Sequence, residues 1–144
     1  MMDVHTQEDF EELKKRALLG DPAAQCAVAD LCADDSRAAF FDLPEAVIWY
    51  ERAAAQGHTK AQWLLGISYA QGMGVEKDLA KAESWLLKSA HSGDADGQYA
   101  LGGFYFMMPD IVKAEYWLDK AVGQGHADAQ AVIGAIKILL DPGV

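Results

Sequence analysis

The chain has 144 residues, of which 51% are hydrophobic and 24% charged, a composition typical of one globular domain and not of a disordered chain. Its formal net charge is −10, and residues 1–51 carry twelve acidic against four basic side chains. Such a field argues against nucleic acid as a direct ligand, since phosphates are repelled and no helix carries a basic stripe.

We expect no membrane association, because no run approaches the roughly 18 apolar residues of a membrane span. The acidic N-terminus also lacks the apolar region of a secretory signal. Cys26 and Cys32 point about 120° apart on one predicted helix and cannot pair there. These features together predict a reducing, cytoplasmic setting.

Hydrophobic periodicity and capping residues predict eight helices of two alternating types, here named A and B. In chain order they are B0 at about 7–19, A1 at 22–35, B1 at 43–56, A2 at 58–71, B2 at 79–92, A3 at 94–107, B3 at 111–124 and A4 at 126–140. An aspartate precedes three B helices, where its carboxylate can accept from free backbone N–H groups: Asp42, Asp78 and Asp110. Asp21 followed by Pro22 starts A1 in the same way.

Three segments, 46–66, 82–102 and 114–134, align without gaps. In each, a tryptophan of the B helix is followed eight residues later by a glycine, in the pairs Trp49 and Gly57, Trp85 and Gly93, Trp117 and Gly125. A second glycine falls inside each following A helix, at Gly66, Gly102 and Gly134, at a cost of about 1 kcal/mol against alanine. We therefore expect the tryptophans in the core and a neighbouring helix lying close to each inner glycine, beneath the tryptophan. Repeated helix pairs of this kind stack into one continuous core.

Residues 64–98 closely resemble the Sel-one-like repeat, a relative of the tetratricopeptide repeat. The matching positions are Ala61-Gln62, Leu65-Gly66, Tyr69, Gly72 to Val75, Asp78, Lys81-Ala82, Trp85, Lys88 to Ala90 and Gly93. The resemblance implies an all-α fold, a right-handed α/α superhelix of about eight antiparallel helices. It implies one domain over 1–144, with a partial repeat at 7–35, repeats at about 22–56, 58–92 and 94–124, and a terminal helix at 126–140.

Members of that family mostly act as scaffolds, adaptors or receptors for other proteins, and some small bacterial members neutralise toxins. The chain departs from the family pattern where Cys32 and Lys137 replace the tyrosine present at Tyr69 and Tyr105. Two of the A-to-B connections also lack the Gly-x-Gly of the pattern, so the curvature of the superhelix cannot be carried over.

The sequence offers no catalytic signature, and we expect a protein that is not an enzyme and holds no cofactor or metal. No nucleophile motif or metal-ligand spacing is present. His58 and His126 share the first slot of A helices with Asp21 and Asp94, which favours a capping role for both.

The A helices line the concave face in solenoids of this kind, which makes two of their aromatic residues candidates for partner contact. Trp63 and Tyr99 occupy the same slot on successive A helices, and amphipathic aromatic side chains favour interfaces.

The acidic side chains Asp30, Asp34 and Asp35 cluster at the negative end of A1. They represent either a solvated helix end or an acidic patch for a Lys/Arg-rich partner, with a calcium site as the third interpretation.

Two apolar segments complete the candidate surfaces. Phe104, Phe106, Met107 and Met108 crowd the short turn after A3, where core and protein-binding roles are equally compatible with the sequence. The terminal helix has no helix B after it, so its apolar side must fold back, meet the partner or form a homodimer through Ile136, Leu139 and Leu140.

Three functions remain open at this point. The first is an adaptor or scaffold that binds a protein, one with a basic surface, through its A helices and acidic N-terminal third. The second is an immunity or inhibitor protein that neutralises a basic toxin or enzyme. The third, a hydrolase, has the least support.

Overall fold

The computed structural model of the protein describes residues 6–141 and 143, and over these it contains eight α-helices and no strand. The helices are α1 Gln7–Leu18, α2 Pro22–Ala33, α3 Leu43–Ala55, α4 Thr59–Gln71, α5 Leu79–His91, α6 Ala95–Met107, α7 Ile111–Gly123 and α8 Ala127–Leu140. They follow the predicted order, so that α2, α4, α6 and α8 are A helices and the others are B helices. The all-α prediction is confirmed.

Each helix starts at a side chain that accepts a hydrogen bond from a free backbone N–H group. The A helices use Asp21, His58, Asp94 and His126, the later B helices use Asp42, Asp78 and Asp110, and α1 uses Thr6. The two histidines accept through Nδ1, from Ala61 and Ala129. The prediction that these histidines cap helices is confirmed.

In the α4–α5 and α6–α7 pairs, a glycine of the A helix receives a leucine of the B helix. A Cβ atom built on Gly66 would lie 2.6 Å from Leu86 Cγ, and one on Gly102 would lie 2.6 Å from Leu118 Cγ. The predicted close approach is confirmed at these two glycines. The neighbour is the leucine after the tryptophan, however, because that residue lies on the side of the B helix facing its A partner.

The repeated tryptophans directly precede the position of these leucines, so they lie on the neighbouring side of each B helix. Trp49 and Trp117 are buried as expected, but Trp85 keeps partial exposure. Lys88 stands over the Trp85 ring at 4.4 Å, so a cation–π contact covers a tryptophan that the helices do not fully enclose.

Buried glutamines connect one helix pair to the next. Gln25, Gln62 and Gln98 each donate through Nε2 to the carbonyl near the end of the preceding B helix, at Ala17, Ala54 and Ala90 respectively. The side chain thereby satisfies a helix-end carbonyl that would otherwise be buried without a partner. The A helices also meet each other, since α4 contacts α6 as well as its neighbours in sequence.

The core is nearly continuous along the stack. One cluster of buried side chains runs from Phe10 to Trp117, and a second, smaller cluster joins α7 to α8 through Leu118, Ile133 and Ile136. In the part of the chain that the structure describes, no helix is both long and apolar enough to cross a membrane.

Candidate functional site

The A helices present one face that stays at least partly exposed, although Ala27, Leu64 and Ala100 on this face also pack against the main core. Residues spaced i, i+4, i+7 and i+11 share one side of a helix, and in three successive A helices this side is at least partly exposed. These residues, here called the A-face, are Ala23, Ala27 and Asp30 on α2 with Asp34 at its C-cap, Lys60, Leu64, Ile67 and Gln71 on α4, and Asp96, Ala100, Gly103 and Met107 on α6.

The middle of the A-face is apolar, and two of its four residues have a small side chain or none. It consists of Leu64 and Ile67 on α4 and of Ala100 and Gly103 on α6, and these two helices contact each other. Leu64 and Ile67 also line a largely apolar pocket of about 80 Å³ between α4 and the α2–α3 pair. An apolar side chain from another protein could therefore contact this apolar centre without lying next to a charged group.

Gly103 sits inside α6 without a packing reason of its own. Unlike Gly66 and Gly102, a Cβ atom on Gly103 would meet no atom of another element within 4 Å, among the residues that the structure describes. A glycine in a helix interior costs about 1 kcal/mol relative to alanine. Packing within the chain does not require this cost, so Gly103 leaves free space on the A-face.

Charged side chains of α2 and α4 form a network beside the apolar centre. Lys60 Nζ lies 2.6 Å from Asp30 Oδ2, and the Tyr50 hydroxyl donates to Asp30 Oδ1 at 2.7 Å. The hydrogen bond to Asp30 raises the pKa of Lys60, and burial, followed by the charge of Asp30, raises the pKa of Tyr50. Asp30 is thus a member of an internal network that joins α2, α3 and α4.

The other two predicted acidic residues differ from Asp30. Asp34 accepts from both the backbone and the hydroxyl of Ser36 and forms an ion pair with Arg37 at 3.3 Å. The Ser36 hydroxyl is the main reason that the pKa of Asp34 is lowered. Asp35 is exposed. The three carboxylates therefore do not form one open patch, because two of them have intramolecular partners.

The predicted aromatic candidates lie at the side of the A-face, between successive A helices. Trp63 is partly buried against the main core. Tyr99 is partly exposed and stacks on the ring of His126 at 4.6 Å between centroids. The Nε2 atom of that histidine lies 2.9 Å from Asp96 Oδ1, so the edge of α6 is held against the start of α8.

The apolar run after A3 divides into one core residue and three surface residues. Phe104 is only 8% exposed and belongs to the main core, so its assignment to partner binding is corrected: its ring faces inward. Phe106, Met107 and Met108 are exposed, Met107 to 79%. For these three residues, contact with a partner protein stays a prediction.

The predicted homodimer residues divide in a similar way. Ile136 is 2% exposed and packs with α7, so it has no surface to offer a second chain, and this assignment is corrected. Leu139 and Leu140 are exposed to 72% and 59%.

Sequence reasoning did not single out Lys60, Leu64, Ile67, Asp96 or Gly103. They could have been found by aligning the A helices of this chain position by position. The positions of these residues differ in residue type from one repeat to the next. Such an alignment separates the tightly repeated slots, such as Gln62 and Gly66, from the variable ones that face outward.

The described residues show no arrangement that points to chemistry. No three His, Cys, Asp or Glu side chains among residues 6–141 and 143 come together as a metal site would require. Burial raises the pKa of Cys26 to about 12 and of Cys32 to about 11, which keeps both thiols protonated and weakly nucleophilic at neutral pH.

Comparison with known families matches three consecutive Sel1 repeats to residues 22–58, 59–94 and 95–126. Among curated proteins, an uncharacterized protein of Neisseria meningitidis serogroup B is 33% identical over 89 residues, or 62% of this chain and 18% of that protein. Chitin synthase regulatory factor 3 of Schizosaccharomyces pombe is 39% identical over 49 residues, or 34% of this chain and 5% of that protein.

Two solved structures share the fold over nearly the whole chain. A Sel1 repeat protein from Oxalobacter formigenes superposes with a TM-score of 0.82 at 28% identity, covering 94% of this chain and 40% of the other. A protective antigen of uropathogenic Escherichia coli with an SLR fold superposes with a TM-score of 0.77 at 31% identity, covering 90% and 28%. This chain thus spans less than half the length of each relative.

Proposed function

Because this chain belongs to the Sel1 repeat family, whose members generally mediate protein–protein interactions, we propose that it is a non-enzymatic adaptor that binds a protein through the A-face. The observation that carries the proposal is the free space at Gly103, which leaves room for a side chain that the protein itself does not supply. Leu64 and Ile67 on α4, a helix that contacts α6, provide the apolar contact.

The chemistry of the A-face indicates the kind of segment that would bind. Desolvated apolar contacts at the centre of an interface give most of the affinity, and charges at its rim steer the approach. The centre here is Leu64, Ile67 and Gly103, and the rim carries the exposed carboxylate of Asp96. We infer a partner segment with one or two apolar side chains flanked by lysine or arginine.

Gly103→Leu tests this proposal without disturbing the fold. The leucine fills space that the protein leaves empty and improves helix propensity, so stability should not fall. We expect capture of the partner, measured by affinity purification and quantitative mass spectrometry, to decrease at least about tenfold, which corresponds to the loss of one well-packed contact.

Gly123→Leu is the matched control. Gly123 also lies in a helix with no atom of another element within 4 Å of an added Cβ, but it is on α7, outside the A-face. Equal capture by the wild type and Gly103→Leu, or equal loss with both variants, would show that the A-face does not bind the partner.

An immunity or inhibitor protein acting on a basic toxin or enzyme is the second candidate. The net charge of −10 favours it, since a strongly acidic inhibitor accelerates association with a basic target. For this role, we expect the association rate to fall steeply as the salt concentration rises. We also expect the Asp35→Lys variant to associate more slowly than the wild type. These two effects distinguish this role from a general adaptor. A hydrolase stays the least supported alternative.

A cytoplasmic location is part of the proposal. Both cysteines are free, buried thiols, and proteins with such thiols and no disulfide are typical of reducing compartments. Fractionation of cells that express the full-length protein tests the location.

A further inference from the structure

A small pocket adjoins the A-face between α4 and the α2–α3 pair, and its volume is about 80 Å³. Side chains of all three helices line it, among them Ala33, Leu43, Val47, Leu64, Ile67 and Ser68. Leu64 and Ile67 belong to the A-face, so the pocket continues the surface on which the partner is proposed to bind.

Ser68 is much smaller than the residues at the equivalent position of the other A helices. These residues are Leu31 in α2, Phe104 in α6 and Ile136 in α8. Phe104 and Ile136 are buried, and Leu31 packs against the main core. Ser68 is buried as well, at 5% exposure. At this position the chain therefore places a large apolar side chain in three A helices, and beside the pocket it places a serine.

The serine carries a cost in stability. Space beside an apolar lining forfeits van der Waals contacts that a larger side chain would make. The Ser68 hydroxyl also donates to the Leu64 carbonyl one turn earlier at 2.9 Å, an arrangement that slightly weakens a helix. The fold does not require this residue type, because the other A helices carry apolar residues at the same position.

The lining and the volume of the pocket limit what it can hold. Its two polar side chains already have acceptors within the chain, since Ser68 donates to Leu64 and the Tyr50 hydroxyl donates to Asp30. An apolar group therefore fits its chemistry. Benzene fills an apolar cavity of about 150 Å³, so a pocket of about 80 Å³ is too small for an aromatic ring and suits an aliphatic side chain.

We propose that this pocket holds one aliphatic side chain of the partner segment, a leucine, isoleucine or methionine, and excludes phenylalanine, tyrosine and tryptophan. The inference rests on the proposed function, that the A-face binds a protein, and it specifies which residue of the partner is the anchor. Met73, an exposed residue after α4, also lines the pocket. Its flexible side chain can adjust to the shape of the bound residue.

The charges beside the pocket indicate a basic neighbour for this anchor. Residues 33–43 carry three carboxylates and one basic side chain. The first and the last residue of this segment, Ala33 and Leu43, both line the pocket. Asp35 and Asp42 within the segment are exposed. A lysine or arginine next to the aliphatic anchor therefore meets a negative field, which favours its approach.

A series of synthetic peptides tests the pocket with the purified full-length chain. Each peptide has blocked ends and the sequence Gly-Ser-Lys-X-Lys-Ser-Gly, in which X is leucine, alanine or phenylalanine. Titration followed by methyl NMR measures affinity and reports shifts at Leu64, Ile67 and Met73. We expect the leucine peptide to bind at least about tenfold more tightly than the alanine peptide, as burial of such a side chain predicts. The phenylalanine peptide should bind more weakly than the leucine peptide.

Three results of this titration overturn the proposal. They are equal affinity of the leucine and alanine peptides, affinity of the phenylalanine peptide that equals or exceeds that of the leucine peptide, and the absence of saturable shifts at the pocket methyl groups.

Ser68→Leu fills the pocket from within the chain with the residue type that α2 carries at this position, and Ser68→Ile does so with the residue type of α8. Both variants should unfold at or above the melting temperature of the wild type, and their preference for leucine over alanine in the peptide should disappear. Ser84→Leu is the matched control, because Ser84 is exposed on α5, and it should bind the peptides as the wild type does. A leucine preference that persists in the Ser68 variants overturns the proposal.

Failure of the pocket and failure of the proposed function give different results. If Gly103→Leu abolishes capture of the partner but the peptides show no preference for leucine, the A-face binds a protein and the pocket does not select its anchor. If Gly103→Leu captures as much partner as the wild type does, the proposed function fails, whatever the peptides show.

Discussion

The interior helix pairs and the terminal helix use the same repeat residues with opposite results. In the α4–α5 pair, Gly66 is filled by Leu86, whereas Gly134 of α8 has no neighbour within 4 Å in the described residues. Gln98 of α6 is buried and fully engaged, whereas Gln130 of α8 is exposed. A repeat glycine therefore receives a leucine only where a B helix follows it among the described residues.

This difference shows that one sequence motif can carry two meanings. Inside the stack, the glycine is required because two helix backbones approach each other closely. At the equivalent Gly134 of α8, no atom of another helix lies near the glycine among the described residues. Paired substitutions at equivalent slots measure how far this contrast holds.

The largest effect is expected for leucine at the two glycines. Gly66→Leu should lower the free energy of unfolding by about 3 kcal/mol, because the side chain has to displace Leu86 and separate α4 from α5. Gly134→Leu should instead raise it by about 0.5–1 kcal/mol through helix propensity alone. Urea unfolding at low protein concentration measures both, and equal effects would contradict the contrast between the filled and the open glycine.

A smaller effect is expected at the repeated glutamine. Gln98 donates to the Ala90 carbonyl at 3.3 Å and accepts from Gln124 Nε2 at 2.8 Å, so Gln98→Ala leaves buried groups without partners. We expect it to lose about 1–2 kcal/mol in chemical denaturation. Gln130→Ala, at the exposed slot, should change stability by less than about 0.5 kcal/mol, and a loss as large as that of Gln98→Ala would mean that α8 is covered in solution.

The smallest effect is expected at the histidine caps. Aspartate is a strong N-cap and its charge interacts favourably with a helix start, so His58→Asp should raise the free energy of unfolding by a few tenths of a kcal/mol and with it the melting temperature. His126→Asp should lower it, because the new carboxylate loses the contact with Asp96 at 2.9 Å and repels that side chain. Thermal denaturation at neutral pH compares the two, and a gain in both would show that the His126–Asp96 contact contributes nothing.

The repeated positions were predictable because the same residue type recurs at the same position in several copies of the repeat. Aspartate before a helix, glycine after it and glutamine at the fourth position of the A helix each recur, and each has a local or nearest-neighbour cause. The placement of Phe104 and Ile136 was not predictable in this way. Both belong to dense apolar runs in which every residue has a similar hydrophobicity, so only the direction of the neighbouring helices decides which one is buried.

Asp30 illustrates a second limit. Its sequence neighbours are acidic, which favoured an acidic patch, but its partners Tyr50 and Lys60 lie 20 and 30 residues away. No local pattern reports a contact over that separation. The same is true of Glu45, whose carboxylate forms an ion pair with Lys14 of α1.

The sequence by itself determined the helices, their order, their caps and the stacking of equivalent pairs, because these depend on backbone hydrogen bonding and on spacing that local residues dictate. Only the tertiary structure decided which glycine is filled and which is open, which carboxylate is paired and which apolar side chain faces water. Those outcomes depend on whether another helix lies within contact distance, and that distance is set by the packing of the whole stack.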